Sequence, residues 1–141
     1  MIALLPIRPI YANAILSGEK RVEFRRTKFK QNIRYVLIYA SSPIKKIVGY
    51  FEIENIDETT PFQAWRDYSS LGFIDEESYL RYYDGSDKAY VISIQDVRSF
   101  DEYLPLSDLG ENITPPQSHR YITKEEFDKL CNSAIKGVRP L

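Results

Sequence analysis

Apolar and polar positions change period several times along the chain, and each change marks an element. Pro9–Ser17 places Pro at a first-turn position, Tyr11, Ala14 and Ile15 at helical spacing, and Gly18 where a left-handed cap ends a helix. From residue 20 to 25 the period falls to two: Lys20, Val22 and Phe24 share one parity, and Arg21, Glu23 and Arg25 the other. That alternation predicts a strand. Residues 33–40 (IRYVLIYA) are almost all apolar, aromatic or β-branched, as in a strand buried on both faces at the centre of a sheet. After the Ser41-Ser42-Pro43 break, residues 47–56 resume as a strand in which Gly49, Phe51 and Ile53 oppose Val48, Tyr50, Glu52 and Glu54.

Thr60-Pro61 opens a helix with Phe62, Trp65 and Tyr68 on its apolar side, and Asp75-Glu76-Glu77 opens another with Tyr79, Leu80 and Tyr83, closed by Asp84-Gly85. Residues 88–97 alternate as a strand, and 100–104 make a further short extended piece. Residues 110–116 read as an irregular loop. Thr123-Lys124-Glu125-Glu126 is a capping box before a last helix with Phe127, Leu130, Cys131, Ala134 and Ile135 on one face and Gly137 as its stop. Strands with inserted helices and no internal repeat predict one α+β domain spanning residues 1–141, built on a mostly antiparallel sheet or small barrel.

Length and composition agree with one domain. A chain of 141 residues with 43% hydrophobic residues can bury a sufficient core without staples. Cys131 is the one cysteine and His119 the one histidine, which excludes an internal disulfide and a Cys/His zinc set and suits a reducing cytoplasm. No apolar run reaches the roughly 18 residues of a spanning helix, and Met1 to Pro6 lacks the basic and apolar parts of a secretory leader, so no membrane role is expected. No metal site or cofactor is expected either.

Charge changes the picture more. The net of −1 conceals 10 Lys/Arg against 2 Asp/Glu in residues 1–50, and 9 against 18 in residues 51–141. An anionic partner for the first part is one explanation; offset of the two parts across one surface is the other. The run Arg25-Arg26-Thr27-Lys28-Phe29-Lys30 supplies phosphate contacts in the first case, with Phe29 available to stack a base.

The densest polar cluster runs from Ser17 to Arg26, where a helix end, a glycine turn and a strand meet. Arg25 can grip a phosphate or carboxylate in bidentate fashion, Lys20 can act as a point charge or, once desolvated, as base or nucleophile, and Glu23 can orient either. The same residues also fit surface ion pairs along an amphipathic strand. Downstream, Gln117-Ser118-His119-Arg120-Tyr121 gathers amide, hydroxyl, imidazole and guanidinium groups in one loop, of which Gln117 and Ser118 suit a base edge or sugar. His119 by itself reads as an exposed loop residue. Trp65 reads as its helix's core anchor, and Tyr35, Tyr39 and Tyr90 as core residues.

The stretch Ile7-Arg8-Pro9-Ile10-Tyr11-Ala12, then Ile15-Leu16-Ser17-Gly18-Glu19-Lys20-Arg21-Val22-Glu23-Phe24-Arg25, resembles the opening of the ASCH-domain family. The resemblance continues through residues 36–43 and Val48-Gly49-Tyr50-Phe51, and Pro115-Pro116-Gln117-Ser118 is similar to the closing motif of a small prokaryotic subgroup. It implies a PUA-like fold, a small, partly closed mixed or antiparallel β-barrel with peripheral helices, in a superfamily associated with RNA and modified nucleobases. Some members are enzymes, either amidohydrolases of an acetylated cytidine or ribonucleases. Lys20 matches the lysine of the Gly-x-Lys motif and Arg25 its closing arginine, whereas Glu23 stands where the amidohydrolases use a threonine.

The expectation is therefore an RNA- or modified-nucleotide-binding domain, with DNA as a possible ligand and a regulatory role, including transcriptional regulation, within scope. Its contacts would be Lys20, Arg25, Arg26, Lys28, Phe29, Lys30, Gln117, Ser118 and Arg120. A hydrolase using Lys20 and Glu23 is the rival, and a protein-interaction module the third reading.

Overall fold

The computed structural model describes residues 1–110 and 113–134. The sequence carries its helix starts locally. Helix α1, Pro9–Ser17, ends on Gly18 at φ 87°, whose N–H bonds Ile15 O. Helix α2, Pro61–Tyr68, is capped by the Thr60 side chain accepting from Gln63 N–H, and α3, Glu76–Tyr82, by Asp75 accepting from Ser78 N–H. In α4, Lys124–Ala134, Thr123 and Glu126 accept from each other's backbone N–H as the capping box requires. Of the apolar face expected there, Phe127, Leu130 and Cys131 are buried, whereas Ile135 and Gly137, the side chain of Ala134 and part of the 110–116 loop lie outside the described residues.

Six strands among the described residues form one sheet: β1 (Ile2–Ile7), β2 (Val22–Arg25), β3 (Tyr35–Ala40), β4 (Lys46–Thr59), β5 (Ala89–Leu104) and β6 (Arg120–Ile122), in the order β2-β5-β4-β3-β1-β6. The β1–β3 pair is parallel and the other four pairs are antiparallel. β3 is central and buried on both faces, as its composition requires: Leu37 and Tyr39 face a cluster closed by Phe127 and Leu130 of α4, while Val36, Ile38 and Ala40 face one closed by Ala12 and Ile15 of α1. A third cluster joins Val22 and Phe24 to Ala64, Tyr79 and Tyr83 of the α2–α3 layer.

Four expectations change. The run Met1 to Pro6, which lacks the parts of a leader, supplies a sheet strand over residues 2–7 instead; it lacks alternation because both of its faces are covered, Ile2 and Leu4 by the α4-side cluster and Leu5 and Ile7 by the α1-side cluster. The two extended pieces at 88–97 and 100–104 are one strand, continuous because β-bulges and Asp96 at φ 50° absorb the break. Arg120–Ile122 is a strand on β1 rather than loop. Phe62 and Leu80, expected on buried helix faces, are 76% and 59% exposed, since α2 and α3 rest on the sheet through Ala64 and Tyr79. Barrel closure would require β2 to pair with β6. No ladder joins them among the described residues, so the sheet is open.

Candidate nucleic-acid interface

The open seam between β2 and β6 is bridged by side chains. Arg25 at the end of β2 donates through Nη2 to Ser118 O (2.7 Å), Thr27 Oγ1 lies 3.2 Å from Ser118 Oγ, and Lys30 N–H donates to the Tyr121 hydroxyl (2.7 Å). Beside this seam lies a cleft of about 560 Å³, a size typical of small-ligand sites. Its walls come from the end of β1, the first turn of α1, β2 and the residues after it, α3, and the Gln117-Ser118 segment.

Lys20 is placed by both of its neighbours. Its backbone N–H returns to Ala14 O in the last turn of α1, and the next residue, Arg21, bonds Leu71 O in the 3₁₀ turn Ser69–Leu71. The side chain is 3% exposed, donates to Gly72 O, and sits 3.7 Å from Glu23 Oε1 between the rings of Tyr11 (5.1 Å) and Phe24 (5.4 Å). Burial pulls its pKa below the ordinary lysine value, and the Glu23 carboxylate opposes that fall. Gly72 is required there: a Cβ at this position would run into the Phe24 ring.

Glu23 is 7% exposed, so the surface ion-pair reading of this cluster fails. Its Oε1 faces Lys20 and its Oε2 accepts from Arg25 Nη1 at 3.1 Å. Set between the two side chains, the Glu23 carboxylate orients Lys20 and Arg25. Arg25 is fixed at its backbone as well, where its carbonyl accepts from the Tyr83 hydroxyl at 2.9 Å.

Of the expected contact residues, Lys20, Arg25, Arg26, Gln117 and Ser118 line the cleft, and Glu23 lies under it. Lys28, Phe29, Lys30 and Arg120 do not: the first three follow the seam outward, where the Phe29 and His119 rings meet edge to face at 5.1 Å, and Arg120 lies on the other face of β6, on the side of Ile122 and Leu4. His119 is half-buried rather than a free loop residue, and its pKa is lowered by burial, then by Arg25 and Lys30. The cleft also holds Arg8, Tyr11, Arg81 and Tyr82, which sequence reasoning did not assign to it. Arg8 and Tyr11 sat in the quoted opening motif, yet Tyr11 was used up by the helical pattern. Nothing local links α3 to β2.

Arg8, Lys20, Arg25, Arg26 and Arg81 thus converge on one cleft over one buried carboxylate, with Arg81 paired to Glu77 and Arg26 over the Tyr82 ring at 4.9 Å. Among the ion pairs of the described residues, Arg34–Glu52 (2.7 Å) joins the basic first part of the chain to the acidic remainder; the others lie within one part. Of the ten Lys/Arg in residues 1–50, Arg8, Lys20, Arg25 and Arg26 line the cleft. Among the described residues no helix is long and apolar enough to cross a membrane.

The family model for the ASCH domain matches residues 5–104. An ASCH domain-containing ribonuclease from Zymomonas mobilis is 32% identical over 136 residues, covering 92% of this chain and 90% of that one. The crystal structure of ASCH from Zymomonas mobilis superposes with a TM-score of 0.87 at 31% identity, covering 94% of this chain and 95% of that one. A segment of 74 residues, 52% of the chain, is 38% identical to part of the large ribosomal subunit protein uL22 of Ureaplasma parvum serovar 3, of which it covers 24%.

Proposed function

This chain belongs to the ASCH domain family, and from that premise we propose that it binds RNA, taking one nucleotide of the polymer, ordinary or modified, into the cleft beside the β2–β6 seam. The observation that carries this is the convergence of five cationic side chains and the rings of Tyr11 and Tyr82 on a single cavity of nucleotide size. Arg25, fixed by Glu23 and Ser118, presents a preset guanidinium to a phosphate; Arg8 and Arg26 add charge at the mouth; Gln117 and Ser118 offer amide and hydroxyl groups to a base edge or the 2′-hydroxyl. In this reading the sheet is a PUA-like barrel left open at the seam where the ligand enters.

The test is binding of labelled single-stranded RNA, duplex RNA and the matching DNAs at about 50 mM and 200 mM salt. Saturable, salt-sensitive binding of single-stranded RNA, weakened about tenfold or more by Arg25→Ala, is expected, since a charge-assisted phosphate contact contributes roughly 1.5–3 kcal/mol. Equal binding of all four nucleic acids, or none at low salt, contradicts the proposal.

A second reading, cleavage of the bound RNA, is favoured by the Zymomonas mobilis relative, which is named a ribonuclease, and by the desolvated Lys20. A neutral Lys20 would take the proton of a 2′-hydroxyl as that oxygen attacks phosphorus; the bond to the 5′-oxygen breaks, and water in the open cleft protonates that oxygen. The two readings part at Lys20→Met. A binder loses affinity comparably to Arg25→Ala, whereas a nuclease keeps affinity and loses turnover.

A further inference from the structure

Thr27 and Ser118 line the cleft, and from them two chain segments leave it side by side, Lys28-Phe29-Lys30 and His119-Arg120-Tyr121. They are locked together by the Lys30 N–H bond to the Tyr121 hydroxyl and by ring contacts that put His119 between Phe29 (5.1 Å, 87°) and Tyr121 (5.0 Å, 63°). His119 Nδ1 lies 3.3 Å from Ser118 Oγ, so the ring begins where the cleft wall ends. All three rings are half-buried, while Lys28, Lys30 and Arg120 are exposed, and none of these three cations makes an ion pair among the described residues. Sealing the seam accounts for the packing of Phe29 against the α1-side core. It does not account for unpaired Lys28 and Lys30 on either side of Phe29 beside this aromatic trio; Arg120, two residues before buried Ile122 and opposite Leu4 in the ladder, belongs to the other face of β6.

We infer that the outer side of the seam is a second nucleotide subsite, in which the Phe29–His119–Tyr121 cluster holds a base and Lys28 and Lys30, on either side of Phe29, hold the flanking phosphates. The ligand class is then single-stranded RNA of at least two consecutive nucleotides, running from the cleft across the Thr27–Ser118 contact, rather than a free nucleoside or mononucleotide. Alternating rings and cations along one strand path is the pattern by which single strands are held. Because burial and its basic neighbours keep the His119 ring toward its neutral form, it meets a base as an aromatic surface. The inference rests on the RNA reading of the cleft.

The experiment compares a mixture of the four nucleoside monophosphates with a mixed-sequence RNA hexamer, on the wild type, on His119→Ala, and on a Lys28→Ala/Lys30→Ala double variant whose two side chains are exposed and leave the core intact. The hexamer should bind at least about tenfold tighter than the monophosphates. His119→Ala and the double variant should each remove about tenfold of hexamer affinity while leaving monophosphate binding within about twofold, and the double variant should lower the salt slope by roughly one per lost phosphate contact. A hexamer no tighter than the monophosphates, variants that leave the hexamer unchanged, or variants that weaken both ligands equally overturn the second subsite while the cleft stands. Failure of both ligands to bind overturns the cleft and the subsite together.

Discussion

Lys20, Glu23 and Arg25 lie within six residues of one another and depend on one another for their state. Burial alone would push the Lys20 ammonium toward its neutral form, and Glu23 opposes this, so the lysine titrates below its ordinary value while remaining tied to a carboxylate. Glu23→Gln removes the opposing charge. An NMR titration of the Lys20 ε-methylene should show a midpoint below 10.5 in the wild type and lower still in Glu23→Gln; an unchanged midpoint contradicts the pairing. Linkage gives the sign for stability. With the folded pKa below the unfolded one, the unfolded state binds more protons between them, so this group's contribution rises with pH from the folded midpoint to about 10.5. The difference in thermal midpoint between wild type and Lys20→Met should grow over that window. Gly72→Ala should weaken RNA binding through the same lysine, because the added Cβ must displace the Phe24 ring against which Lys20 rests. Lys20 and Arg25 were legible as charged residues at a helix–strand junction. The burial of Glu23 and Lys20 was not, because strand alternation sends the Glu23 parity to solvent and the Gly72 carbonyl that accepts from Lys20 lies 52 positions away.

Elements announced by local chemistry were legible, and those set by distant pairing were not. Thr60, Asp75 and Thr123 each cap the helix expected of them, since a cap is a contact within a few residues. β1 and β6 are strands only because β3 and β1 lie beside them, and neither alternates. The single β5 depends on bulges against β4, where Gly49 lets the Arg98 carbonyl approach so closely that a Cβ would collide with it. Gly49→Ala should therefore destabilise the protein by more than an ordinary surface change. Thr123→Ala should cost about 1 kcal/mol by removing the α4 cap. Phe127→Ala should cost roughly 3–5 kcal/mol, because the ring is fully buried against Tyr35 and Tyr50. Urea denaturation of the three variants checks the order, and a Thr123→Ala loss equal to that of Phe127→Ala would contradict it.

Across the whole molecule the open sheet and the charge distribution meet at one place. The sheet ends at β2 and β6, and the gap between them is spanned by the Arg25 side chain on the Ser118 carbonyl, the Thr27 and Ser118 hydroxyls, and the Tyr121 hydroxyl on the Lys30 N–H. The uneven charge of the two parts of the chain was visible in the sequence. Which of its two explanations holds was not, because it depends on where the arginines of α3 and β2 come to lie. Arg34 pairs with Glu52 across the two parts, while Arg8, Lys20, Arg25 and Arg26 of the first fifty residues meet Arg81 of α3 at the cleft. The most direct test is to follow backbone amide resonances while a single-stranded RNA hexamer is added. The account predicts saturable shifts clustered at residues 8–11, 20–30, 74–82 and 117–121, which with Arg25→Ala need about tenfold more RNA to saturate. Shifts confined to α4, or to the exposed side of α2 around Phe62, or none at all, would contradict it.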